Sequence, residues 1–143
     1  MPSALDVADH IIQYCSSHGC RISNLRLQIL LYMAQAYFLV KSDGKKPCFE
    51  EKIEARSYGP VIPKVYEEYK KYGSLDIMDC RHLDSISLPK ADMMMVDEVV
   101  DYFMDHSLLD LVDLVLSQSP WRNAFHPFWN QEITKESLLK YFK

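Results

Sequence analysis

One stretch, residues 23–40, constrains the fold of this chain more than any other. At about 100° per residue its apolar side chains cover almost the whole circumference of a helix, and only Gln28, Tyr32 and Gln35 form a narrow polar strip. A helix that is apolar on nearly every side has to be enclosed by other segments. It is also too short and too polar to cross a membrane, which takes about 20 predominantly apolar residues. The sequence therefore predicts a buried central helix.

The polar strip of this helix has two interpretations. Buried polar side chains in folded proteins are almost always hydrogen-bonded. We therefore expect Gln28, Tyr32 and Gln35 to bond the backbone of a buried loop, for which residues 58–63 are the favoured segment. The alternative is that the three side chains line a groove.

Helix-capping residues and prolines place further helices on either side of the central one. Ser3 is expected to cap a first helix that ends near Gly19, and Ser23 or Asn24 to cap the central helix. Prolines suit the first turn of a helix because the amide they lack would have no partner there. The later helix starts are predicted at Pro63, Pro89, Ser107, Pro120 and Thr134.

A change of period near the middle of the chain predicts a small β element. Residues 53–58 alternate between apolar and polar side chains, as a half-buried strand does. Pro60 and Pro63 then withhold two backbone donors, so an extended or turning segment should lead into the next helix. Ile86 and Leu88 alternate with serines and are the candidate pairing strand.

Length and composition favour one globular domain over residues 1–143. Hydrophobic residues make up 48% of the chain and charged residues 25%, which argues against disorder. No metal or disulfide is needed for a core of this size. The predicted fold is mostly α (α+β): a compact bundle of five to six helices around the buried central helix, with a small two-stranded β element.

The charge balance limits the classes of partner. A net charge of −4 gives no basis for general nucleic-acid binding or for attraction to an anionic membrane. The first residues lack a charged region followed by an apolar one, so we expect no secretory signal and a cytoplasmic location. The four cysteines are then expected to be free thiols.

Motifs for catalysis are weak. The sequence has no phosphate-binding loop, glycine-rich dinucleotide turn or nucleophile motif, so no cofactor is expected. Cys15, His18 and Cys20 are the sharpest hint of a metal, but a structural zinc site takes four ligands, and Cys80 and His82 would have to complete it at an unfamiliar spacing. The favoured alternative is a core-facing Cys15 and an exposed His18.

An acidic stripe recurs along the helix predicted after Pro89. Asp97, Asp101 and Asp105 follow one another at intervals of four residues, which places them on one side of a helix. We interpret the stripe as a solvated face in preference to a docking stripe for a basic partner.

Tyrosines are concentrated beside the two prolines. Tyrosine offers a large amphipathic area at low entropic cost, so such clusters recur in protein interfaces, although ordinary core packing explains them equally well. The candidate partner-binding residues are Arg56, Tyr58, Pro60, Tyr66, Tyr69 and Tyr72.

Two motifs together resemble the Panacea domain of SocA-like and GepA-like, phage-associated proteins. The first is residues 27–35 and the second is residues 53–66, with a spacing of 22 residues from Tyr32 to Glu54. A weaker match follows at residues 117–121. The residues that carry the motif are Gln28, Tyr32, Gln35, Gly59, Pro63 and Trp121. This sequence departs from the pattern at Ile29, where a lysine is usual, and at Arg56, where a tryptophan is common.

The resemblance implies an antitoxin-like protein that neutralises a co-encoded toxin by direct binding and without catalysis. The expected mechanism is occlusion, in which the surface around residues 58–72, together with the strand edge at Arg56, covers the functional site of the toxin. A second hypothesis is a proteolytic adaptor or phage-encoded regulator, whose partners would include a host protease or its substrate. A metal-dependent enzyme is the remote alternative.

Overall fold

The computed structural model describes residues 2–77, 88–129 and 131–143, and these contain seven α-helices and one small sheet. The helices are α1 (Ala4–Ser17), α2 (Asn24–Lys41), α3 (Pro63–Tyr69), α4 (Lys90–Phe103), α5 (Leu108–Leu116), α6 (Ser119–Ala124) and α7 (Lys135–Phe142). A short 3-10 helix, Lys70–Tyr72, continues α3. The strands are β1 (Ile53–Arg56), β2 (Gly59–Val61) and β3 (Gln131–Ile133). The predicted mostly α (α+β) class is confirmed.

Helix α2 is the centre of the structure, as its sequence predicts. Every residue from 27 to 36 is buried, so the helix is enclosed on nearly every side over almost three turns. Helices α1, α3, α4, α5 and α7 and strand β2 all pack against it. This enclosure accounts for the apolar residues found all round its circumference. None of the helices in the described part of the chain is long and apolar enough to span a membrane.

The predicted helix starts follow from capping chemistry. Each cap is a hydroxyl that accepts a hydrogen bond from the backbone three residues later, which satisfies one of the free amides of the first turn. The caps of this kind are Ser3, Ser23, Ser107 and Thr134. Ser3 forms a complete capping box with Asp6. Pro63 takes the first position of α3, as expected.

The sheet has one more strand than the sequence predicts in the part of the chain that the structure describes. Its order is β2-β1-β3, and both pairings are antiparallel. Strand β1 pairs with the segment that directly follows it, through a hairpin in which Arg56 lies opposite Gly59. The expected strand around residues 86–88 falls mostly on residues 78–87, which lie outside the described residues. Strand β3 was missed because three residues are too few to show an alternating period.

Gln28 holds the backbone at the end of β2 against the central helix. Its Oε1 accepts from the amide of Ile62 at 2.8 Å, and its Nε2 donates to Asn24 Oδ1 at 2.9 Å. Ile62 immediately precedes α3, so this bond sets where α3 begins. The contact expected between Gln28 and residues 58–63 is therefore present.

Gln35 and Tyr32 bind other segments than the one expected. Gln35 Oε1 accepts from the amide of Cys48 at 2.8 Å, and its Nε2 donates to the carbonyl of Phe49 at 2.9 Å. The hydroxyl of Tyr32 donates to Gln118 Oε1 at 2.7 Å. The polar strip therefore bonds three separate segments that cover the helix, since successive turns of one helix face different neighbours.

A Gln35→Leu substitution is expected to destabilise the protein strongly. It leaves the buried amide of Cys48 and carbonyl of Phe49 without their partner, and each such group costs about 1–3 kcal/mol. We expect the free energy of unfolding to fall by about 2–4 kcal/mol in urea denaturation. Gln13→Leu, at an exposed position of α1, is the control and should change it by less than about 0.5 kcal/mol. Equal effects of the two substitutions would contradict this role of Gln35.

Candidate partner-binding surface

Arg56 is the best-fixed charged side chain at the end of the hairpin. One of its guanidinium nitrogens lies 2.9 Å from Glu54 Oε1, and the guanidinium lies 5.6 Å from the centroid of the Tyr66 ring. Its own carbonyl accepts from Trp121 Nε1 at 2.8 Å. A residue held by a carboxylate, a ring and a backbone bond keeps its position before any partner arrives.

Tyr58 and Tyr66 lie beside Arg56 and face outward. Their ring centroids are 6.3 Å apart, and 36% of Tyr58 is exposed. The hydrogen bond with Tyr58, followed by burial, raises the pKa of Tyr66 above its ordinary value. The Tyr66 hydroxyl therefore stays protonated at neutral pH and acts as a neutral hydrogen-bonding group.

Phe128 and Trp129 extend this surface, and the sequence analysis missed them. They are 83% and 56% exposed, and His126 stacks on Trp129 with ring centroids 3.6 Å apart. Together with Arg56 and Tyr58 they line a cavity of about 400 Å³. The sequence does carry a signal for them, because residues 125–129 place three aromatic side chains and a histidine around a proline. Proline favours a turn, and so many aromatic side chains are unusual in an ordinary surface loop. We call Arg56, Tyr58, Tyr66, Phe128 and Trp129 the aromatic surface.

Two predicted partner-binding residues are not accessible, and this corrects the sequence analysis. Tyr69 is 1% exposed, and its hydroxyl donates to the buried carboxylate of Asp9. Pro60 is buried within β2. Tyr69 is buried because of the helical period of α3, which turns Val65 and Tyr69 toward the core on the same face and leaves Tyr66 on another.

Tyr72 is separated from the aromatic surface for the same reason. It is half-buried and stacks on Tyr69, with centroids 6.5 Å apart. The tyrosines that are close in sequence thus form two pairs in space. Tyr58 with Tyr66 belongs to the surface, and Tyr69 with Tyr72 belongs to the packing of α3 and the 3-10 helix.

The remaining motif residues support the hairpin. Gly59 has φ of 138°, a backbone conformation that side-chain-bearing residues rarely adopt, so the turn requires glycine there. Trp121 bonds the end of β1 and stacks on Phe125, with centroids 4.9 Å apart. Through this tryptophan, α6 helps to position Arg56.

The candidate metal ligands do not form a site within the described residues. Across residues 2–77, 88–129 and 131–143, no three His, Cys, Asp or Glu side chains are placed to hold a metal ion. Cys15 is buried, and the exposed His18 has its Nδ1 within 2.9 Å of the carbonyl of Tyr14. Cys80 and His82 lie outside the described residues.

The acidic stripe is more than a solvated face, which corrects the interpretation from sequence. Asp97 Oδ1 lies 2.7 Å from His10 Nε2, and Asp101 Oδ1 accepts from the hydroxyl of Tyr14 at 2.7 Å. The bond to Asp101 raises the pKa of Tyr14 to about 12. The stripe therefore helps to attach α4 to α1, while Asp101 and Asp105 stay exposed.

With this geometry in place, the comparisons with known proteins decide the family. The family model described as "Antitoxin SocA-like, Panacea domain" matches residues 27–122, which is well over half of the chain. The chain therefore belongs to the SocA-like Panacea domain family. The Panacea match includes α2 from its fourth residue onward, the β1–β2 hairpin, α3 and Trp121, but it ends before Phe128 and Trp129.

A curated relative agrees with the family. Antitoxin SocA of Caulobacter vibrioides (strain NA1000 / CB15N) is 37% identical over 75 residues, which are 50% of this chain and 39% of the relative. The match thus spans well under half of the length of that antitoxin. No solved structure matches the chain.

A Trp121→Phe substitution is expected to weaken the hairpin without removing the stacked ring. It deletes the donor that bonds the carbonyl of Arg56, which should lower the free energy of unfolding by about 1 kcal/mol in urea denaturation. Tyr102→Phe removes a polar group from a ring that is 72% exposed, and it should have no measurable effect. A stability of Trp121→Phe equal to that of the unsubstituted protein would show that the bond contributes nothing.

The cysteines should differ in their reaction with iodoacetamide. Burial, followed by the neighbouring Cys20 thiol, raises the pKa of Cys15 to about 12, and burial raises the pKa of Cys48 as well. The thiolate is the reactive form, and at about pH 8 a group with that pKa is about one part in 10⁴ thiolate. Peptide mass spectrometry should therefore find the half-buried Cys20 modified before Cys15 and Cys48, and these three all modified in urea. Native-state modification of Cys15 as fast as Cys20 would contradict this order.

Proposed function

We propose that this Panacea domain is an antitoxin that neutralises a protein toxin encoded beside it by binding it directly, without catalysis. The family and the relative SocA both carry the antitoxin description. The observation that carries the binding mechanism is the aromatic surface, where exposed rings surround an arginine that the protein itself holds in place.

The physical case rests on preorganisation. Large aromatic side chains and arginine dominate the energy of protein interfaces when they are buried by a partner. Arg56 already has its carboxylate and its ring partner, so binding costs less side-chain entropy than a free arginine would. A stable complex of standard size buries about 1,200–2,000 Å², far more than these five residues provide, so the toxin has to cover neighbouring parts of the hairpin and α3 as well.

The shape of the surface supports occlusion as the mechanism. The β1–β2 turn, with Tyr58, and the turn around Phe128 and Trp129 line the same cavity, so together they present two aromatic projections with a recess between them. Such a surface suits a concave or ridged functional site on the toxin. Neutralisation then results from exclusion of the toxin's substrate and not from modification of the toxin.

Phe128→Ala and Tyr66→Ala are expected to weaken the complex with the product of the adjacent gene. Each removes an aromatic anchor, and the loss should be about 2 kcal/mol or more in calorimetry. The control is Leu75→Ala, whose side chain is 73% exposed away from the aromatic surface and which should leave the affinity unchanged. Unchanged affinity in folded Phe128→Ala and Tyr66→Ala proteins would exclude this surface as the toxin interface.

Stoichiometry separates binding from catalysis. A protein that neutralises by occlusion protects only as many toxin molecules as it can bind, so toxin activity should fall linearly to zero at a fixed molar ratio. An enzyme would inactivate an excess of toxin over time, and that result would contradict the proposal.

A further inference from the structure

A second exposed groove lies apart from the aromatic surface. Helix α2 forms its floor, α4 forms one wall and the end of α7 closes it, and its volume is about 410 Å³. The residues that line it are Met33, Ala36, Tyr37, Val40, Glu98, Val99, Tyr102, Phe103 and Phe142. As described, the two cavities share none of their lining residues.

The groove is apolar and open. Apart from the carboxylate of Glu98 and two tyrosine hydroxyls, its lining side chains are hydrocarbon or aromatic. Tyr102 is 72% exposed on its wall. Apolar side chains grouped in a concave surface, with a polar rim, are typical of sites that another molecule covers.

The dimensions of the groove suit a helix. The floor extends from Met33 to Val40 along α2, and at about 1.5 Å per residue this is a length of about 10 Å. That length accommodates two turns of a partner helix, whose apolar side chains would enter at positions separated by three, four and seven residues.

Charge identifies the kind of helix. Residues 91–121, which span α5 and all of α4 except its first residue, Lys90, contain seven of the chain's 20 acidic residues and none of its 16 lysines and arginines. Glu98 lines the groove, and two further exposed carboxylates follow it at intervals of three and four residues: Asp101 on α4 and Asp105 just beyond the end of that helix. Two lysines directly follow lining residues of the groove: Lys41, whose Nζ lies 5.7 Å from the centroid of the Tyr37 ring, and Lys143, which pairs with Asp43.

We propose that this groove binds a basic amphipathic helix of a protein partner. The apolar stripe of that helix would fill the groove, and its lysines or arginines would face Glu98, Asp101 and Asp105. Charge argues against two other occupants of the groove. A second copy of this chain would place its own acidic residues against those of the first, and an anionic membrane would be repelled by the acidic residues of α4. The site lies beyond the toxin interface proposed above, so the protein can hold two partners at once.

The test uses a synthetic helical peptide of about five turns with a leucine stripe flanked by lysines, labelled with fluorescein. Its counterpart carries glutamates in place of the lysines. Fluorescence anisotropy with the full chain should show binding of the lysine peptide, weakened by salt because exposed charges are screened. The glutamate peptide should not bind.

Two variants locate the peptide in the groove. Tyr102→Ala removes the exposed ring of the wall, and Glu98→Lys with Asp105→Lys reverses the charge of its rim. Each should weaken the lysine peptide by about tenfold or more. All three positions are exposed, so the folded state should be retained, and circular dichroism checks this.

Matched controls test whether the location matters. Glu50→Lys with Glu68→Lys makes the same change in net charge at exposed positions outside the groove. Phe128→Ala removes an exposed ring from the aromatic surface. Both should leave the affinity for the lysine peptide within about twofold, and Tyr102→Ala should leave neutralisation of the toxin intact.

Four results would overturn the proposal. The first is equal binding of the lysine and glutamate peptides, and the second is an equal loss of affinity in the groove and control charge variants. The third is loss of toxin binding in Tyr102→Ala. The fourth is a dimer of the chain that Tyr102→Ala dissociates. The third would make the groove part of the toxin interface, and the fourth would assign it to a second copy. Because Phe128→Ala reports on the toxin surface separately, failure of either proposal can be distinguished from failure of the other.

Discussion

The structure depends on hydrogen bonds between the enclosed helix α2 and the backbone of the segments that cover it. Segments that cover α2 bury their amides and carbonyls, and a buried backbone group without a hydrogen bond is costly. Gln28 and Gln35 satisfy these groups at Ile62, Cys48 and Phe49, where regular secondary structure offers no partner. Each glutamine therefore acts as a fixed attachment point. Between those two points lies the whole β1–β2 hairpin, so the position of the hairpin follows from the central helix.

The position of the aromatic surface depends on the bond between Gln28 and Ile62. Gln28 fixes the residue before α3, and the first turn of α3 then presents Tyr66 toward the end of the hairpin. Arg56 sits at that end, with its carbonyl bonded by Trp121 of α6. Elements that are distant in sequence thus meet at one arginine. The aromatic surface is held by hydrogen bonds at Arg56 and is most exposed at Phe128 and Trp129. A few such aromatic and arginine anchors dominate the energy of protein interfaces.

Charge is distributed unevenly over the molecule. The aromatic surface contains a paired arginine, while residues 91–121, which follow Lys90 at the start of α4, contain acidic residues but no lysine or arginine. Asp97 and Asp101 also bond His10 and Tyr14 of α1, so part of the acidic stripe stabilises the packing of α4 and part of it remains available. A small domain with two such surfaces can discriminate between partners by charge as well as by shape.

The sequence alone determined the buried central helix, the helix starts and the Panacea family. The signals for these are a hydrophobic period, capping hydroxyls and the spacing of two motifs, and all of them can be read from residues close together in the sequence. Only the tertiary structure decided which tyrosines are accessible. Tyr66 and Tyr69 look alike in sequence, yet the phase of α3 against the core leaves Tyr66 half-buried at the surface and buries Tyr69. The same holds for β3, whose three residues form a strand only because β1 offers an edge, and for the groove beside Tyr102, which exists only where α2, α4 and α7 meet.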